Sequence, residues 1–234
     1  MNSVRRISIS TGVLFVLATV AALAAGAVVP ALTGNDALPE IAGHPGRLGV
    51  AALLYLIAAG TSVGIAVALY PLLRKVDSGL ALGSVVFRTI EAVFYTVAVL
   101  YLLALRPLGE QFVAAPAGDR VPIRALADSV VNERDLASLA GVFAFCTGAL
   151  MYYVVFYRSR LVPRWLSAWG VAGVLLMAVA CLLALFGNSP VTGYTLLILP
   201  IGVQEMVLAV WLLVKGFSPS PVAAEVSVSH HREP

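Results

Sequence analysis

Residues 80–105 read LALGSVVFRTIEAVFYTVAVLYLLAL, and this stretch decides the fold. It holds 14 Leu, Ile, Val and Phe residues and two charges, Arg88 and Glu91. It is longer than the ~20 apolar residues that a helix needs to cross a ~30 Å hydrocarbon layer. At roughly −0.3 to −0.6 kcal/mol each, the apolar side chains contribute about −6 kcal/mol to insertion. An Arg and a carboxylate near the centre cost about +2.5 to +3.5 kcal/mol each, which nearly cancels that gain. Such a helix does not face lipid with both charges bare. At i, i+3 the two lie on roughly one face and can pair, and Tyr95, at i+4 from Glu91, extends that face.

The same kind of stretch recurs at 10–32, 48–72, 136–157, 165–186 and 193–214. Charged residues make up 12% of the 234 positions and apolar residues 60%; soluble domains carry ~25% charge. A soluble protein so composed has too little polar surface to cover itself. The apolar runs are continuous, unlike the ~10-residue alternating segments of membrane barrels. The expectation is an all-α, six-helix transmembrane bundle over 1–217, followed by a disordered cytoplasmic tail over 218–234. Helix starts are marked by His44-Pro45-Gly46-Arg47 before the second span and by Val162-Pro163-Arg164-Trp165 at the fifth.

Lys and Arg placement orients the bundle. Nine of them (Arg5, Arg6, Arg74, Lys75, Arg158, Arg160, Arg164, Lys215 and Arg232) fall on one side of a six-span arrangement. Five (Arg47, Arg106, Arg120, Arg124 and Arg134) fall on the other, mostly in one long loop. The asymmetry predicts cytoplasmic termini in a bacterial inner membrane. Basic loops beside anionic lipid account for a pI near 9.0 without any nucleic acid. The first span has a basic start and Ala25-Gly26-Ala27, but it exceeds the 7–15 residues of a signal core and reads as a retained helix.

The segment from Arg106 to Asp135 is the longest expected outer loop. In it Ile123, Leu126 and Val130 share one helical face, which suits either a short amphipathic surface helix or an ordinary solvated loop. Trp165, Trp169, Trp211 and Lys215, with Pro163 and Arg164, read as interfacial anchors. Small residues at four-residue spacing (Ala18/Ala22/Gly26, Gly60/Gly64, Gly79/Gly83, Ala144/Gly148) read as packing faces. Cys146 and Cys181 lie inside spans, where a thiol behaves as a small apolar group, and a structural disulfide is not expected.

The sixth span adds Gln204 and Glu205. Counted from the same membrane face, Glu91 and Glu205 lie ~15 Å deep, so the expected polar cluster is Arg88, Glu91, Glu205, Gln204 and Tyr95. One guanidinium against two acids implies a proton on one of them. Pro200 and Gly202 could open the helix nearby. No HExxH, GxSxG, GxxxxGK[ST] or GxGxxG occurs, and no His lies in a span. No motif implies a cofactor, a metal or a catalytic residue, though Glu91, Glu205 and His44 were the donors closest to a metal set. The leading role is non-enzymatic, a bundle whose third and sixth spans are locked by the cluster. A small-solute or proton-coupled carrier using the cluster as its site ranks second, and an intramembrane enzyme third. The partners implied are the lipid bilayer and, for a carrier, a small-molecule or proton ligand.

Three strings, with Leu69-Tyr70-Pro71-Leu72-Leu73, carry a resemblance. They are Phe87-Arg88-Thr89-Ile90-Glu91-Ala92, Val162 through Gly170, and Gln204 through Phe217. Over about residues 5–217 the chain resembles the family catalogued as domain of unknown function 4386. The resemblance implies a multi-span bacterial membrane protein without an established activity. It points again to Arg88, Glu91, Pro163, Arg164, Trp165, Glu205, Trp211 and Lys215.

Overall fold

The computed structural model describes residues 3–187 and 189–218. Among them are seven α-helices: α1 (Ser3–Val28), α2 (Ala37–Gly43), α3 (Pro45–Leu73), α4 (Ser78–Ala114), α5 (Arg120–Ser159), α6 (Arg164–Phe186) and α7 (Thr195–Val214). All but α2 are long and apolar enough to cross a membrane. The expected tail lies outside the described residues, apart from Ser218, whose N–H donates to the Leu161 carbonyl at 2.8 Å.

Local chemistry sets the boundaries. Asp77 caps α4, its carboxylate accepting from Leu80 N at 3.0 Å. Ala115 is extended, as the residue before Pro116 must be, and this ends α4. Pro45 and Pro122 sit in the first turns of α3 and α5, where a missing N–H costs nothing. Pro163 caps α6 rather than entering it. At the other end of the chain Arg5, read as a topology marker, donates to the Leu212 and Leu213 carbonyls at 3.2 and 2.7 Å. It thereby supplies partners to the last turn of α7, which has none within its own helix.

The six long helices close into a ring in the order α1, α3, α4, α5, α6, α7 and back to α1. The short connection before α4 makes α3 and α4 neighbours, as its length predicts. The apolar window of α5 is 67% buried, against 28–33% for the others, so α5 is the enclosed helix of the ring. Large apolar side chains such as Leu23, Leu100, Leu196 and Val210 point outward on the rest, a surface suited to hydrocarbon.

Two features depart from expectation. The segment after Leu105 is not a loop. α4 runs on through Pro107 to Ala114, and α5 begins at Arg120, so helices of ~55 and ~60 Å extend past the hydrocarbon as a hairpin. Leu105, Leu108 and Phe112 recur at helical spacing and meet Ala127, Val131 and Ile41 in a second core, which holds the hairpin together. Ile123 and Val130 pack against that core while Leu126 is exposed. In addition, the stretch between α1 and α3 carries a short helix, α2, which packs on α4 and bridges to Arg47 through Glu40 at 2.9 Å.

Of the small-residue faces, Gly64 meets Leu14 of α1, Gly83 meets Met151 of α5, and Gly148 meets Phe87 and Arg88 of α4. Gly60 borders open space. Gly12, Gly170 and Gly173, none of them in a recognised spacing, make approaches as close.

Candidate functional site

Arg88 and Glu91 are both buried, their side chains 3% and 5% exposed. Arg88 Nη1 lies 3.0 Å from Glu91 Oε2 within the same helix. Ser62 of α3 donates to that carboxylate oxygen at 2.9 Å. The guanidinium carbon sits 4.7 Å from the centroid of the Phe145 ring, on α5, a cation–π contact shielded from water. Gly148 makes this placement possible: a Cβ there would lie 3.2 Å from Arg88 Cγ and 3.3 Å from its backbone nitrogen. Arg88 Nε is buried without a hydrogen-bond acceptor among the described residues.

A second polar assembly joins α5, α6 and α7. The Tyr153 hydroxyl donates to Gln204 Oε1, and Gln204 Nε2 donates to the Leu166 carbonyl at 3.0 Å. The Tyr152 hydroxyl donates to Glu205 Oε1 at 3.4 Å, a long contact. Gln204 is fully buried, whereas Glu205 is half-buried. Helix α5 links the two assemblies, carrying Phe145 against Arg88 and Tyr152 and Tyr153 against Glu205 and Gln204.

The expected lock between the third and sixth spans is therefore corrected. The ion pair lies within α4, because i, i+3 spacing closes it without another helix. In the ring α4 adjoins α3 and α5 while α7 adjoins α6 and α1, so two helices separate them on either side. Helix α7 also stays helical through Pro200 and Gly202, with no local opening. Sequence reasoning missed Ser62, Phe145, Tyr152 and Tyr153. The adjacent pair Tyr152-Tyr153 in an apolar span was a legible signal; an isolated Ser or Phe is not.

Above this centre, toward the end of the bundle that carries the α4–α5 hairpin, lies a cavity of about 240 Å³. Tyr55, Tyr95, Ala98, Arg134, Ser138 and Thr192 are among its lining residues. Tyr95 is one helical turn from Glu91, and Ala58, also in the lining, is one turn from Ser62. Below the centre Phe15, Ile65, Leu69, Tyr152, Phe156 and Leu212 belong to a buried core, which continues beside the cavity through Leu139, Val142 and Val191.

The residues expected to act as interfacial anchors gather at the opposite end. The Trp165 ring lies 6.4 Å from Trp169 and 6.5 Å, edge-on, from Trp211. Lys215 Nζ is 5.2 Å above Trp211, and Arg164 is 5.3 Å above Tyr157. His44 stands at the junction of α2 and α3, and no three His, Cys, Asp or Glu side chains converge among the described residues. Cys146 on α5 and Cys181 on α6 are buried free thiols.

Six apolar spans closed into a ring, with polar side chains at the centre, define a multi-span membrane protein. The chain belongs to the family described as Domain of unknown function (DUF4386), whose model matches residues 10–216. No curated protein and no solved structure matches the chain.

Proposed function

We propose that this protein is a non-enzymatic carrier of small solutes in a bacterial cytoplasmic membrane, with both termini in the cytoplasm. One observation carries the reading: a cavity of about 240 Å³ on the hairpin side reaches down to Tyr95, one helical turn from a buried charged pair. A carrier needs a site near mid-membrane that is open to one side while closed to the other. Intramembrane ionisable groups mark such pathways by default. Tyr95 closes the inner end of the cavity, and Arg88 and Glu91 lie one helical turn beneath it. Trp165, Trp169, Trp211, Arg164, Pro163 and Lys215 hold the cytoplasmic end at the interface. The nine-to-five distribution of Lys and Arg supports the orientation.

Cysteine accessibility tests the reading. In a background lacking Cys146 and Cys181, Ala98→Cys is exposed to an impermeant maleimide in right-side-out and in inverted vesicles, with and without an imposed pH gradient. A carrier gives labelling from the hairpin side at rest and from the opposite side when driven. Labelling from one side alone under every condition overturns it.

A further inference from the structure

We propose that the cavity binds a single-tailed amphiphile with an acidic head, which Arg134 holds at the membrane interface. The proposal rests on the reading of this cavity as the solute site and names the class of solute.

Charge comes first. Among the described lining residues Arg134 is the one charged side chain, and no carboxylate lines the cavity. Its Nη1 lies 2.9 Å from Asp135 Oδ1, a contact to one nitrogen of a group with five N–H donors. Arg134 makes no other side-chain hydrogen bond among the described residues, so it keeps donors for an anion. Thr192 adds a hydroxyl to the lining, while the Ser138 hydroxyl is spent on the Arg134 carbonyl at 2.9 Å.

Depth comes next. Gly141 of α5 faces Phe94 and Tyr95 of α4, and Gly148 faces Phe87 and Arg88. The antiparallel register thus places Arg134 level with about Leu102, near the end of the apolar stretch that closes at Leu105. Val142, eight residues further along α5, lies ~12 Å deeper, level with Tyr95. Between these levels the walls are Ala58, Ala98, Val99, Leu102 and Val142. A head at Arg134 and a tail ending at Tyr95 place each part at the depth it takes in a lipid leaflet.

Size and access complete the argument. At about 240 Å³ the cavity is below the ~300–1,000 Å³ of drug-sized sites, which suits one short chain and excludes a diacyl lipid. The exposed residues of its rim include Ala22 of α1 and Thr192 of the turn before α7. Helices α1 and α7 approach closely at the far end, where Gly12 meets Ala209 and Leu213. The seam between them at the hairpin end is the entrance, and it opens toward the leaflet.

The test uses the full chain in zwitterionic lipid nanodiscs and three probes of equal length: octanoate, octanol and octyltrimethylammonium. Octanoate is expected to bind saturably and raise the melting temperature, with the other two at least about tenfold weaker. Arg134→Gln weakens octanoate about tenfold and leaves octanol unchanged, Arg134→Lys retains most of the binding, and Ala98→Phe removes it. Equal binding of all three probes, or indifference to Arg134→Gln, overturns the assignment of an acidic head. Tighter binding of phosphatidylglycerol than of octanoate overturns the single tail. If Ala98→Phe still removes the probes that bind, the cavity stands as the site although its ligand class is wrong. If no probe binds and Ala98→Cys is never labelled, the carrier reading falls with it.

Discussion

Glu91 is the carboxylate on which the centre turns: it faces the Arg88 guanidinium and accepts from Ser62 across to α3. Removing one member of a buried pair leaves the other charge uncompensated, at a cost of about 3 kcal/mol or more, whereas replacing both by apolar residues is often nearly neutral. Glu91→Gln is therefore expected to lower the thermal midpoint in detergent. Arg88→Met combined with Glu91→Leu is expected to recover most of that loss while abolishing gradient-dependent labelling at Ala98→Cys. A double variant that still switches its labelling would show that the pair has only a structural role. The possibility of this pair was readable from the spacing of the two residues. Its partners Ser62 and Phe145 were not, because a hydroxyl or ring on another helix declares its neighbour only after folding.

Among the elements, α5 departs most from the simple picture of interchangeable spans. It stacks Phe145 on Arg88, offers Gly148 to that side chain, and sends Tyr152 and Tyr153 to α7. Its fit against α6 depends on Gly170, where an added Cβ would overlap the Tyr153 ring. The ring is fully buried and cannot swing into solvent. Gly170→Ala is expected to destabilise the bundle by about 1–3 kcal/mol, the usual cost of overpacking. Tyr153→Leu in the same chain should relieve the overlap but lose the bond to Gln204. Thermal unfolding of the single and double variants measures both, and a wild-type midpoint for Gly170→Ala would contradict the packing. The extension of α4 and α5 beyond the hydrocarbon was hidden in sequence because charges and three prolines, Pro107, Pro116 and Pro122, interrupt the apolar run. Helical spacing of Leu105, Leu108 and Phe112 was present there, but it gains meaning only against α2 and the partner helix of the hairpin.

For the whole molecule, orientation is the property most open to a direct check. Alkaline phosphatase fused after residue 217 should be inactive and a green fluorescent reporter there bright. Fusions placed at 117, in the turn between α4 and α5, should behave in the opposite way. The reverse pattern would invert the proposed topology and put the cavity on the cytoplasmic side. Composition and hydropathy by themselves determined that this chain crosses a membrane, how many times, and which spans carry charge. Transfer free energy sums along a contiguous window and needs no knowledge of neighbours. Tertiary structure alone decided the ring order, the place of α5 between α4 and α6, and the cavity that ends one turn from the buried pair. When lipid and protein interior are equally apolar, hydrophobicity does not say which face of a helix meets which; close packing at glycines and pairing of the few polar groups do.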